Sequence, residues 1–277
     1  MAVPPLLVQA PAVIPARYGL QSAADQIAEA GRIHAGIQWD RPPCGPPTLD
    51  PALCGDDPTE LDLPGGIGQD RAYPIKVFAG FTCSPVDLTE PMMRARAEAA
   101  LATDWVAVES AVWSSTYLRL MRQVAEEDAV EGDPINTPVL AEDPVSITRG
   151  VGLLEAYLGA SYAGVGVIHA PRAVAAHAAA AQLISTEPGR LTTVLGNRWA
   201  FGSGYPNTGP DGAPAATGTA WLVVTTAVSY RRTPVNHRRT REQSFDYGTN
   251  TIHAVADRTY IVSWDECVRA AVPVTLT

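Results

Sequence analysis

The sequence predicts a mixed α+β fold, and three features of the chain predict it. Alanine-rich sequence with apolar residues at helical spacing runs from Thr89 to about Glu127. A second stretch of this kind runs from Val145 to Ser161. The segment from Ala220 to Tyr230 is rich in β-branched and aromatic residues, which is typical of a strand. Long helices and strands are thus both expected after residue 74.

The composition of the chain excludes several classes of protein. The chain has 277 residues, of which 46% are hydrophobic and 18% charged, and its net charge is −9. A chain with ordinary apolar content and low charge is not expected to be disordered. No stretch approaches the roughly 20 apolar residues of a membrane span, and the first residues lack the features of a secretory signal. The acidic balance argues against wrapping nucleic acid, because it supplies no net positive field.

The N-terminal third is predicted to be mostly extended. Four prolines interrupt residues 1–40, where one short helix is expected around Ser22–Ala30 with Ser22 as its N-cap. Residues 41–74 are dense in Pro, Gly and Asp, so we expect a projecting loop rather than core. The first convincing strand is Pro74–Cys83.

The long helix begins where Thr89 can cap it and Pro91 fits its first turn. At more than 30 residues it would extend about 50 Å, the length of a spine, with a break expected near Ser114–Ser115. The later elements alternate between strands and helices. In order they are a buried strand at 164–168, a helix at 171–184, strands at 190–194 and 197–203, a loop at 205–218, the strand 220–230, a basic connector at 231–241, paired strands at 250–255 and 259–263, and a closing segment at 267–276.

No catalytic or metal-binding pattern emerges. None of the five histidines has the spacing of metal ligands, so we expect their imidazoles to lie at the surface or in the core. They are His34, His169, His177, His237 and His253. Three short glycine-containing stretches lack the neighbouring residues that dinucleotide, phosphate or nucleophile loops require. They are 65–68, 164–166 and 202–204. The sequence therefore predicts neither an enzyme nor a cofactor.

One cluster of charged residues stands out in the sequence. Five arginines lie within eleven residues: Arg231, Arg232, Arg238, Arg239 and Arg241. They could bind phosphate, but pairing with the abundant carboxylates, within or between subunits, is favoured in a chain of charge −9.

The order of elements after Leu153 resembles that of the major capsid proteins of tailed bacteriophages, which have the Hong Kong 97-type shell fold. The residues that carry the resemblance are Val167–Pro171, Val194–Ser203, Gly218–Ala227, Asn250–Arg258 and Tyr260–Trp264, with Glu109 and Trp113 resembling the end of the family's spine helix. The resemblance covers roughly residues 74–277, and the first 73 match only by role.

The resemblance implies an N-terminal arm at 1–40, an extended loop and first strand at 41–86, and a P-domain with a long spine helix at 87–145. It further implies an A-domain at 146–249 and closing P-domain strands at 250–277. The implied function is self-assembly into hexamers and pentamers of an icosahedral virion shell around double-stranded DNA, formed in the host cytoplasm. Portal and decoration proteins are implied partners, and scaffolding would be a separate chain or absent.

Several alternatives stay open. An encapsulin-like compartment ranks second, because the amphipathic N-terminal helix expected of encapsulins is missing. A minor or penton capsid protein of the same fold is a third possibility, and a hydrolase with a scattered site is a remote fourth.

The resemblance also bears on cross-links. Some shells of this family carry Lys–Asn isopeptide bonds, but the one lysine here, Lys76, lies on a predicted strand, so none is expected. A disulfide between Cys44 and Cys54 would close a loop of about ten residues, worth on the order of 2–3 kcal/mol. A reducing cytosol opposes it before particle release. In the family's order of elements the five arginines fall near neighbouring subunits, so at least two are expected in intersubunit salt bridges.

Overall fold

The computed structural model describes residues 12–28, 33–41, 68–83, 89–114, 120–121, 136–162, 164–237, 245–246, 248–266 and 268–276. Within these residues the chain forms five α-helices: α1 (Leu20–Ala23), α2 (Glu90–Ala100), α3 (Trp105–Ser114), α4 (Ile147–Ser161) and α5 (Val174–Ala180). A 3₁₀ turn spans Ile33–Ala35. None of these helices is long and apolar enough to cross a membrane.

The described strands number fifteen. They are β1 (Asp25–Gln26), β2 (Ile37–Asp40), β3 (Gln69–Ala72), β4 (Ile75–Cys83), β5 (Val145–Ser146), β6 (Val167–Pro171), β7 (Ser185–Glu187), β8 (Arg190–Thr192), β9 (Arg198–Gly202), β10 (Thr219–Thr225), β11 (Ser229–Arg232), β12 (Asn236–His237), β13 (Phe245–Asp246), β14 (Thr251–Ser263) and β15 (Arg269–Thr275). The mixed α+β class predicted from the sequence is confirmed.

The chain divides into two compact units. Among the described residues, the smaller unit holds 12–16, 76–104 and 234–258. In it, β4, β12 and β13 all pair with the first part of β14. Gly80 on β4 approaches the backbone of Ala254 so closely that a Cβ there would meet the carbonyl oxygen.

The larger unit is built on a seven-stranded sheet in the order β5-β15-β10-β6-β9-β8-β7. Helix α4 packs on this sheet through Val151, Leu154 and Leu158, because these residues recur at helical spacing and face one side. Trp199 and Phe201 stack beneath them with ring centroids 4.9 Å apart. In the same unit β1 pairs with β11, and β11 pairs with the last part of β14.

Several sequence predictions are wrong in detail. The spine helix is not continuous, because α2 ends at Ala100 and α3 begins at Trp105. The interruption contains Thr103 and Asp104, which are weak helix formers, and the carboxylate of Asp104 pairs with Arg258 at 3.2 Å. Helix α3 ends at Ser114, near the predicted break.

The other corrections concern strands and a cap. Residues 250–255 and 259–263 do not pair with each other but belong to one strand, β14. The run 220–230 splits into β10 and β11, which join different sheets. The short helix is Leu20–Ala23 with Gly19 at its N-cap, and Ser22 donates its hydroxyl to the Gly19 carbonyl at 2.8 Å. Tertiary pairing of Asp25–Gln26 with β11 replaces the predicted helical continuation.

Candidate functional site

Strand β11 carries the first two of the five predicted contact arginines. Arg231 and Arg232 are therefore strand residues rather than part of a connector, paired across from Ile261 and Tyr260 of β14. Both side chains are half-buried, and neither forms an ion pair with any described residue of the subunit. Arg238, Arg239 and Arg241 lie outside the described residues, as do the acidic patch Glu126–Glu131 and both cysteines of the Cys44–Cys54 pair.

The two described arginines face opposite sides of β11. Ser229 and Arg231 line a cleft, whereas Tyr230 packs edge-on against Trp105 with ring centroids 4.9 Å apart. Because successive strand residues point to opposite faces, Arg232 shares the side of Tyr230. Only Arg231 is therefore placed to meet a group that enters the cleft.

This cleft, which we call the tryptophan cleft, has a volume of about 390 Å³ and lies within the larger unit. Its lining is Ile27, Ile37, Gln38, Trp39, Ala227, Ser229, Arg231, Ser263, Trp264 and Asp265. The indole of Trp39 donates to Asp265 Oδ1 at 3.0 Å, which fixes one wall of the cleft. The carboxylate of Asp265 is thereby engaged by Trp39, while the guanidinium of Arg231 forms no ion pair within the part of the chain that the structure describes.

The tryptophan cleft adjoins the base of the predicted projecting loop. Strands β2 and β3 pair in antiparallel register, and the Arg41 N–H donates to the Gly68 carbonyl at 2.7 Å. The buried Asp70 accepts from the Arg41 guanidinium and from the backbone N–H of Glu266, the latter at 3.0 Å. The hydrogen bond to Asp70 raises the pKa of Arg41, against the opposing effect of burial. Arg41 and Gly68, which flank residues 42–67 in the sequence, are thus held next to each other at an anchored base.

The Glu109 carboxylate links two backbone segments to α3. It is buried on α3, where one carboxylate oxygen accepts from Leu20 N and the other from Gly204 N, both at 2.9 Å. Burial raises the pKa of Glu109, while backbone N–H groups and the charge of Arg172 oppose the rise. The carboxylate fastens the N-terminal segment and the turn after β9 to one helix. Sequence reasoning missed this role, although a single acid inside the apolar run Trp105–Trp113 was a usable signal.

His169 has hydrogen-bond partners in the core. His169 is fully buried, with Nδ1 at 2.8 Å from the Tyr205 hydroxyl and Nε2 at 3.0 Å from the Thr225 hydroxyl. Burial lowers the pKa of His169 to about 3, so the ring is neutral at physiological pH. No group of three or more His, Cys, Asp or Glu side chains among the described residues could hold a metal ion. The expected core imidazole is confirmed for His169.

A hydrogen-bonded turn presents apolar side chains to solvent. Val194 and Leu195 are 72% and 74% exposed at the tip between β8 and β9. Thr193 N donates to the Asn197 carbonyl at 2.6 Å, and Gly196 adopts φ +91°, which favours glycine. Asn197 in turn binds Gly166 N at 2.7 Å and the carboxylate of Glu155. The fold holds this pair in place without burying it.

Comparison with solved structures finds likenesses that span nearly the whole chain. The capsid of an empty GTA particle superposes with a TM-score of 0.55 at 12% identity, covering 99% of this chain and 95% of that one. The capsid of Ralstonia phage GP4 gives 0.53 at 10% identity, covering 100% and 96%. The chain has the tailed-phage capsid fold. The holo-SrpI encapsulin complex from Synechococcus elongatus shares this capsid fold, at a TM-score of 0.53 and 12% identity over 100% and 94% of the two chains.

Sequence comparisons do not add to this likeness. No protein-family model matches the chain, and a search of curated proteins gives no match. The capsid fold is thus visible at the level of structure, where the order and pairing of elements persist at 10–12% identity.

Proposed function

We propose that the chain is the major capsid protein of a tailed phage, which assembles into the hexamers and pentamers of an icosahedral shell around double-stranded DNA. The observation that carries the proposal is the capsid fold over nearly the full length of both chains compared.

The surface chemistry of the subunit supports the same role. Arg231 and Arg232 are half-buried without a charge partner in the described subunit, and Val194 and Leu195 form an exposed apolar tip. Such groups are stabilised when a second copy covers them. We assign Arg231, Arg232, Arg238, Arg239 and Arg241 to intersubunit contacts, with at least two of them in salt bridges. A net charge of −9 suits a shell that encloses DNA without gripping it.

The capsid fold supports a proposed domain plan. It comprises an N-terminal arm at 1–40, an extended loop with its first strand at 41–86, a P-domain at 87–145, an A-domain at 146–249 and closing strands at 250–277. A separate scaffolding protein, a portal and decoration proteins are the proposed partners, and assembly takes place in the host cytoplasm before the subunit becomes part of the virion.

An encapsulin-like shell is the second candidate, favoured by the likeness to the Synechococcus encapsulin. Electron microscopy of particles purified after expression, with assay of nuclease-protected DNA, separates the two. Large uniform shells that package DNA in the presence of the phage terminase and portal support the capsid role. Small closed shells that enclose protein and never DNA support the alternative, and a chain that forms no shell contradicts both.

A double variant tests whether the arginines make intersubunit contacts. Arg238→Ala with Arg239→Ala should impair assembly while leaving the unassembled subunit folded, as judged by circular dichroism. Normal shells from this double variant would contradict the assignment of those two residues. Arg149→Ala is a matched control, because Arg149 is exposed on α4 and belongs to no proposed contact.

A further inference from the structure

We infer that the tryptophan cleft is a binding site for an amphiphilic anion, whose apolar body lies along the indole rings and whose single anionic group meets Arg231. The site belongs to the unassembled subunit, before a neighbouring copy can cover Arg231. It therefore goes beyond the proposed shell function and does not depend on it.

Most polar side chains that line the tryptophan cleft already have partners. The hydroxyls of Ser229 and Ser263 lie 2.9 Å apart and bond to each other. The side-chain carbonyl of Gln38 accepts from the Arg71 guanidinium at 3.1 Å. The carboxylate of Asp265 accepts from an indole N–H of the cleft wall at 3.0 Å. These groups have little capacity left for a polar ligand.

The guanidinium of Arg231 is the exception. It is half-buried at the cleft, and within the part of the chain that the structure describes it forms neither an ion pair nor a hydrogen bond. A guanidinium presents five N–H donors, and its hydrogen bonds to an anion are roughly twice as strong as those between neutral groups. A ligand that enters the cleft is therefore stabilised most by an anionic group placed at Arg231.

The two ends of the cleft differ in charge. Ala227, Ser229 and Arg231 alternate along the chain, so they share one face and extend over about 13 Å. The Thr226 hydroxyl donates to the Asp265 carbonyl at 3.1 Å, which places Asp265 at the Ala227 end. Its carboxylate disfavours a second anionic group there. The ligand is thus expected to carry its charge at the Arg231 end alone.

Apolar side chains form the walls along this length: Ile27, Ile37, Trp39 and Trp264. The N–H of Ile27 donates to the Tyr230 carbonyl at 2.9 Å, which places Ile27 beside Arg231, and 40% of its surface is exposed. Covering such surface with an apolar group is favourable, because it removes that surface from water. The cleft volume of about 390 Å³ is within the range of small-molecule sites.

Dye binding to the unassembled full-length subunit tests the site. The probe is anilinonaphthalenesulfonate (ANS), an aromatic body with one sulfonate, whose fluorescence rises in apolar surroundings. ANS should bind saturably, and Arg231→Gln should raise its dissociation constant about tenfold, because one charge-assisted contact is lost. Arg231→Lys should retain most of the affinity, because it keeps the positive charge. Arg232→Gln is the matched control and should leave ANS binding unchanged, since Arg232 lies on the other face of β11.

Two further ligands separate the charged part of the site from the apolar part. N-phenylnaphthylamine has the rings of ANS without the sulfonate, so its weaker binding should not respond to Arg231→Gln. Decanoate should displace ANS from the wild-type subunit, whereas inorganic phosphate at the same concentration should not. This displacement needs no variant, and circular dichroism checks that each variant subunit is folded.

Three results would overturn the inference. They are equal ANS affinity in wild type and Arg231→Gln, equal loss of both dyes in Arg231→Gln, and displacement of ANS by phosphate as readily as by decanoate. All measurements use the unassembled subunit. A chain that binds ANS as expected but forms no shell therefore refutes the proposed function and supports the site.

Discussion

Gly204 offers a sharp test of how the turn after β9 packs on α3 in the larger unit. Its backbone lies against α3, where an added Cβ would meet the Val106 carbonyl oxygen and lie 2.8 Å from the carbonyl carbon and 3.0 Å from Glu109 Cβ. Two of these atoms are helix backbone and cannot rotate aside. Gly204→Ala must therefore push the turn away from α3.

The expected cost has two parts. Overpacking of this kind typically destabilises by about 1–3 kcal/mol. Moving the turn also lengthens the 2.9 Å hydrogen bond from Gly204 N to the buried Glu109 carboxylate, and bonds to charged groups contribute about 1.5–3 kcal/mol. Because the shift loses only part of that bond, we expect Gly204→Ala to lower the free energy of unfolding by about 2–4 kcal/mol.

Urea unfolding of the unassembled subunit, followed by tryptophan fluorescence, measures this change. The control is Gly152→Ala on α4, where an added Cβ meets no atom within 4 Å. Replacing an exposed helical glycine by alanine should stabilise by up to about 1 kcal/mol. Opposite signs for the two variants are expected. A Gly204→Ala subunit as stable as the wild type would refute the close packing on α3.

Three further predictions concern pH, the loop base and cross-linking. The folded-state pKa of His169 is about 3, below its unfolded value of 6.5, so below pH 6.5 the unfolded chain binds a proton that the folded subunit does not. The free energy of unfolding should therefore drop by about 1 kcal/mol between pH 6 and 5. His169→Gln should flatten this pH dependence in urea titrations. Asp70→Asn should cost about 1–3 kcal/mol in the same assay, because the buried carboxylate serves both Arg41 and Glu266 N; an unchanged midpoint would contradict that role. Particles should give a single subunit band on a reducing denaturing gel, because the one lysine, Lys76, lies on β4 and pairs with Asp257 at 3.6 Å; a ladder of oligomers would contradict this.

Local patterns predicted much of the fold. The apolar spacing around α4 placed that helix within two residues, and Thr89 with Pro91 marked the start of α2. Strand β10 was predicted from its β-branched and aromatic run, and the buried strand predicted at 164–168 begins three residues before the observed β6. Such features depend on neighbours in the sequence, so a sequence suffices to find them.

Features that depend on distant partners were not predictable. The split between β10 and β11 is fixed by Thr226, whose hydroxyl donates to the Asp265 carbonyl at 3.1 Å. The tryptophan cleft likewise requires Trp39 and Asp265 to meet across 226 positions of the chain. No local pattern carries that information. The arginine cluster was recognised as a charge feature, but only the pairing of β11 shows that Arg231 and Arg232 face opposite sides.

The pairing of the first described strand with a late one has a consequence for biosynthesis. Gln26 accepts a hydrogen bond from Tyr230, 204 positions later, and Trp39 donates to Asp265, which is synthesised only after β14. At about 5–20 residues per second, the ribosome needs roughly ten to forty-five seconds to supply these partners. Non-local pairing of this kind is also slow to form once the chain is complete. Early residues therefore wait unpaired through most of translation, and the tryptophan cleft comes into existence only on a nearly finished chain. The topology itself delays the moment at which one copy can engage another.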